Sequence, residues 1–170
     1  MCSGGPGRTL RSVDRPGRRD EHANDEPSSG TDREKGRETM GASENAAVVR
    51  RGYEAFNTGD METLTEVFDE NASWHTPGRG ILAGDHQGRE AAFAHFGQYA
   101  GETGGTFRAE LRDVTADENG RVVGIHRNVG ERGGKRLDVD CCLVFEIKDG
   151  RIADGREYFF DLNAWDEFWS

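Results

Sequence analysis

The sequence predicts an α+β domain: a cone-shaped, curved antiparallel sheet, built as a four-stranded meander plus a short strand, packed against three N-terminal helices that enclose a pocket. Three observations predict it. The dipeptides Asn119-Gly120, Gly133-Gly134 and Asp149-Gly150 tolerate the positive φ of tight hairpins. Strand-like alternation runs between and around them, over 106–116, 121–131, 135–148 and 151–161. Helical periodicities precede that block, so helices pack on one face of the sheet.

The first helix spans about 43–57, with Ser43 as N-cap and Val49, Tyr53 and Phe56 on one apolar face. Gly59 stops it. Asp60 caps a second helix carrying Leu64, Val67 and Phe68. An extended piece, 72–76, ends at Pro77 and leads into a loop. A third helix covers about 88–99, with Phe93 and Phe96 on its apolar side. After the meander, Trp165, Phe168 and Trp169 are spaced as one helical face, in the manner of a lid or a dimer-packing element.

Of the 170 residues, 32% are charged, and the mean hydropathy of −0.82 is low for a globular core. Residues 1–42 explain much of this. They hold no Phe, Trp or Tyr, and Leu10 and Val13 are their only branched aliphatics. Such a composition buries too little apolar surface to offset chain entropy, which predicts a disordered tail. Met40 stands just before the patterned region as an alternative start. The domain is then 43–170.

The tail's eight basic and eight acidic residues cancel, so the whole net charge of −10 belongs to the domain. An acidic domain disfavours nucleic acid, whose phosphates need a basic face. No apolar run reaches membrane-spanning length and none forms a signal-peptide core. The expectation is a cytoplasmic protein without nucleic-acid or membrane partners. Three cysteines fit a reducing compartment, and the neighbours Cys141 and Cys142 point to opposite strand faces. The five histidines have no metal-ligand spacing, so neither a metal nor another cofactor is expected.

Hairpin parity orders the faces. A two-residue turn at Gly133-Gly134 pairs His126 with Cys141 and Asn128 with Val139. His126, Asn128, Leu137, Val139, Cys141, Leu143 and Phe145 then share the inner, mostly apolar face. The outer face mixes Asp138, Asp140 and Arg127 with Val123, Ile125, Cys142 and Val144, and is the expected homodimer surface. The last hairpin has two solutions. A two-residue turn at Asp149-Gly150 sends Arg156 and Tyr158 inward; a three-residue turn, 148–150, sends Glu157, Phe159 and Asp161 inward.

The runs Val48–Asp60 (VVRRGYEAFNTGD), Phe68–Pro77 (FDENASWHTP) and Phe145–Ile152 (FEIKDGRI) resemble the SnoaL-like, polyketide-cyclase-like branch of the nuclear-transport-factor-2-like superfamily. The resemblance covers about 43–170. Its relatives include ketosteroid isomerases and limonene-epoxide hydrolases. The isomerase positions for the oxyanion-hole Tyr, the base and the second acid fall on Gly52, Thr76 and near Leu143, so that chemistry does not carry over. The epoxide-hydrolase relay and water-holding positions fall on Asn128, His126, Glu157, Trp74 and Thr76. This resemblance favours the register with Glu157 inward.

A polar pair inside an apolar face then implies a cofactor-free acid–base enzyme of isomerase, cyclase or hydrolase type, acting on a small, mostly apolar organic molecule. In this expectation His126 is the acid/base, Glu157 orients it and Asn128 adds a hydrogen bond. Trp74, Thr76, Tyr99, Val139, Cys141, Leu143 and Phe159 shape the pocket. His75 alternates outward to the rim, and Asp161 either caps the terminal segment or enters the pocket. The alternative is a non-catalytic small-ligand-binding or dimerisation module of the same fold.

Overall fold

The structure, a computed structural model, describes residues 41–170. The expected tail and Met40 lie outside those residues. Gly41 and Ala42, read with the tail, belong to the first helix instead. Helix α1 spans Ala42–Thr58, and its N-cap is Gly41, not Ser43. The reason is Glu44, whose Oε2 accepts the Gly41 N–H at 2.9 Å and draws the cap back by two residues. Gly59, at φ 71°, ends the helix as expected. Asp60 caps α2, Met61–Val67, by accepting the Thr63 N–H at 3.0 Å.

Strand β1, Phe68–Thr76, leaves α2 directly and is longer than the predicted extended piece. The loop after Pro77 contains a strand the sequence reading missed: β2, Gly84–Gln87, pairs antiparallel with β1. Helix α3 spans Arg89–Glu102. The meander follows as β3, Arg108–Ala116; β4, Arg121–Arg132; β5, Lys135–Lys148; and β6, Arg151–Phe159. A fourth helix, α4, Leu162–Phe168, closes the chain. The sheet is curved and unclosed, has six strands in the order β2-β1-β6-β5-β4-β3, and pairs β1 with β6 in parallel. No helix among the described residues is long and apolar enough to cross a membrane.

The hairpins set which side chains face inward. At Gly133-Gly134 both residues have positive φ, Arg132 pairs with Lys135, and His126 faces Cys141 as predicted. The last hairpin adopts neither sequence solution alone. Asp149 and Gly150, at φ 51° and 75°, form a two-residue turn that pairs Lys148 with Arg151. Ile147 pairs with Ile152, but Glu146 then pairs with Asp154, so Ala153 is an extra residue in a β-bulge. That extra residue reverses the parity. Glu157 reaches the inner face opposite Leu143, while Arg156 and Tyr158 stay outside.

The core lies between the concave sheet face and the helices. Phe56, Phe68, Trp74, Phe96 and Phe107 meet mostly edge to face. Trp165 of α4 and Trp169, its C-cap, extend this cluster over β5 and β6 and are almost fully buried.

Candidate functional site

A cavity of about 50 Å³ opens among α1, α3 and the inner face of β4, β5 and β6. Its walls are chiefly aromatic: Tyr53, Phe56, Phe96 and Tyr99 line it from α1 and α3, with Phe68, Trp74, Leu143, Phe145 and Ile152 on the sheet. Its lining polar side chains fall at two places, Glu157 with Trp74 and Tyr99, and His126 with Asn128 and Tyr53. No Lys or Arg among the described residues lines it.

Two glycines make room for these groups. A Cβ at Gly155 would stand 2.4 Å from the Trp74 ring, so the indole rests on bare β6 backbone. A Cβ at Gly124 would come within 2.9 Å of the Tyr53 hydroxyl, so its absence lets that hydroxyl reach His126.

At the first place, Glu157 is 6% exposed and Thr76 donates its hydroxyl proton to Glu157 Oε2 at 2.6 Å. The Tyr99 hydroxyl stands 3.5 Å from the same oxygen. Burial pushes the carboxyl up to about 7; Thr76, Trp74 and Tyr99 each pull it down, and burial prevails. The Trp74 indole is near enough to exert that pull, yet its Nε1 has no partner of hydrogen-bonding geometry among the described residues. We read it as a donor facing the carboxyl without closing a bond.

At the second place, the Tyr53 hydroxyl and His126 Nδ1 are 2.7 Å apart. Burial pulls His126 down to about 4, and Asn128, the next cause, raises it. His126 is therefore neutral at pH 7. Asn128 Nδ2, almost fully buried on the cavity wall, has no partner among the described residues.

His126 and Glu157 both line the cavity, but they are not a hydrogen-bonded pair. His126 is opposite Cys141 and Glu157 is opposite Leu143, so the whole of β5 lies between them. The expected orientation of one by the other is corrected on that ground: Tyr53 holds the histidine, and Thr76 holds the carboxyl.

The expected pocket residues divide. Trp74, Tyr99 and Leu143 line the cavity, and Thr76 touches it through Glu157. Val139 and Cys141 are buried on the inner face but outside the cavity lining. Phe159 also leaves the cavity, because it stacks on Trp165 of α4 at 3.8 Å. Asp161 caps α4 by accepting the Ala164 N–H at 2.9 Å. His75 faces outward as expected, bridging Asp85 and Asp154 at 2.6 and 2.9 Å.

Two site residues escaped the sequence reading. Tyr53 passed as one apolar residue of a helix stripe. His95 was overlooked although it falls with Ala92, Phe96 and Tyr99 on the buried face of α3. Its Nε2 lies 3.0 Å from Thr76 Oγ1 and 3.1 Å from the Tyr99 hydroxyl. A histidine four residues before a tyrosine, inside an apolar helical stripe, was the available signal.

Fold and cavity together define a small α+β protein with a buried carboxyl in an aromatic pocket. The SnoaL-like domain family matches residues 49–155, and the chain belongs to that family. An uncharacterized protein of Mycobacterium tuberculosis is 32% identical over 123 residues, which is 72% of this chain and 94% of the relative. The structure of Bal32a, from a soil-derived mobile gene cassette, is 70% identical with a TM-score of 0.75, over 76% of this chain and 98% of Bal32a. A candidate polyketide cyclase of Sinorhizobium meliloti shares the fold at 24% identity and a TM-score of 0.56, over 66% of this chain and 94% of its own.

Proposed function

We propose that this protein is a cofactor-free acid–base enzyme of isomerase, cyclase or hydrolase type. Its substrate is a small, mostly apolar organic molecule without negative charge. One observation carries the reading: a buried carboxyl, Glu157, sits in an aromatic cavity and is pushed up to about 7. Such a group takes a proton at neutral pH and returns it, which suits a step that moves a proton between two atoms of the substrate. A ligand anion would meet no countercharge from the described residues here, since none of their Lys or Arg side chains lines the cavity.

In this reading Glu157 takes the acid–base role expected of His126. His126, neutral at pH 7, lines the cavity with Asn128. The Asn128 Nδ2 hydrogens, without a partner among the described residues, then bind an oxygen of the substrate. The candidate cyclase of the same fold agrees with this class of chemistry. Screening neutral cyclic ketones, lactones and epoxides for turnover, with Glu157→Gln in parallel, tests the proposal. Conversion that Glu157→Gln abolishes supports it, and conversion that survives the substitution overturns it.

A second reading, a non-catalytic ligand-binding module, is favoured by size. The cavity of about 50 Å³ is well below the roughly 300–1,000 Å³ usual for ligand pockets. Binding of the same compounds without turnover, equally by wild type and Glu157→Gln, marks this alternative. For either reading we propose homodimerisation through the outer sheet face. There Ile125, Cys142 and the exposed Tyr158 form one apolar row across three strands.

A further inference from the structure

His95 lies outside the cavity lining and is 1% exposed, yet it touches both hydroxyls that face Glu157. Packing alone does not account for it. Its Nδ1 is buried without a partner among the described residues, a cost that Leu or Phe at this place on α3 would avoid. The one return on that cost lies on the Nε2 side.

Counting protons gives the direction of these bonds. Thr76 has one hydroxyl hydrogen, and the 2.6 Å separation from Glu157 Oε2 assigns it to the carboxyl. Toward His95, Thr76 Oγ1 is then an acceptor, so Nε2 carries the hydrogen in the 3.0 Å contact. The Tyr99 oxygen, 3.1 Å from the same N–H, is a second acceptor, and its own proton remains for Glu157. The other tautomer would reverse this. A bare Nε2 would draw a hydroxyl proton from Thr76 or Tyr99 away from the carboxyl.

We propose that His95 is a positioning residue whose Nε2–H holds the Thr76 and Tyr99 hydroxyls with their protons directed at Glu157. The proposal rests on Glu157 as the acid–base group of the cavity. His95 acts from α3, outside the cavity lining, and touches no substrate. Its ring is stacked on His86 of β2, with centroids 4.1 Å apart and planes 20° apart, which fixes the orientation of the imidazole. Burial keeps it neutral, with His86 adding to the effect.

The test is the titration of Glu157, followed by ¹³C NMR in the whole chain labelled at glutamate and assigned with Glu157→Gln. The groups facing this carboxyl are Thr76 and Trp74 from β1, Tyr99 from α3, Tyr53 from α1 and Cys141 from β5. Those that titrate among them, Tyr99, Tyr53 and Cys141, are all raised by burial and stay neutral through the range. His95→Phe keeps a ring against His86 but removes the donor, and is expected to raise the Glu157 midpoint by about one pH unit. His95→Gln returns an N–H near the Nε2 position and is expected to restore the wild-type midpoint. His95→Leu carries the same expectation as His95→Phe if the latter fails to fold. An unchanged midpoint in the apolar variant, or a shift that Gln does not reverse, overturns the proposal and leaves a packing role. Loss of the acid–base reading is separate: it appears as turnover that persists in Glu157→Gln.

Discussion

Thr76 and Glu157 meet across the parallel pair β1–β6, with the hydroxyl 2.6 Å from a carboxylate oxygen, and this bond opposes the burial of the acid without cancelling it. A bond this short stabilises the ionised form. Desolvation of a group 6% exposed outweighs it, and the carboxyl settles at about 7.

This balance has a stability consequence whose sign is definite. Glu157 binds its proton more tightly in the folded chain than in the unfolded one, where 4.5 applies. Between those values the folded state holds more protons, so this group's contribution falls as pH rises from about 4.5 to about 7. Glu157→Gln mimics the protonated form. It is expected to be more stable than wild type by up to about 3 kcal/mol at pH 8, with the difference vanishing below pH 4.5. Urea unfolding at the two pH values measures it.

His126 runs the other way. Its folded value of about 4 lies below the ordinary 6.5, so it stays neutral well below pH 6 and loses stability as pH falls through that window. Its NMR titration is expected to be unmoved by Glu157→Gln, since β5 separates the two. Tyr53→Phe removes the 2.7 Å bond to Nδ1 and is expected to destabilise by about 1–3 kcal/mol. A His126 midpoint that follows Glu157 would contradict this arrangement.

Asn128 is expected to trade stability for binding. Its Nδ2 has no partner among the described residues, so Asn128→Leu should stabilise by about 1 kcal/mol. The same change should weaken binding of any oxygen-bearing ligand about tenfold. Thermal unfolding and ligand titration of one variant read both effects.

Gly155→Ala places a methyl 2.4 Å from the Trp74 ring. Overpacking of this kind costs about 1–3 kcal/mol. Because the displaced indole forms the wall beside Glu157, the tryptophan fluorescence should shift together with the Glu157 midpoint.

Much of the fold was legible because its signals are local. Gly133 and Gly134 both occupy the left-handed region, so their dipeptide gave the turn, the register and the inward placement of His126 and Asn128. Strand β2 left no trace, since Gly84-Asp85-His86-Gln87 has no aliphatic residue and gains its place by main-chain pairing to β1. The site was less legible than the fold. Neither Ile152, Ala153 nor Asp154 marks a bulge, and the inward turn of Glu157 came from family resemblance alone. His95 carries no apolar signal, and its meaning depends on Thr76, nineteen residues earlier on another element.

The bulge at Ala153 also governs how insertions and deletions act on this strand. Deleting that residue would regularise the hairpin and still leave Glu157 opposite Leu143. Deleting Gly155 instead would turn Glu157 out to solvent and carry Arg156 inward. Two single-codon losses, two positions apart, thus separate a silent change from one that exchanges the cavity's acid for a base.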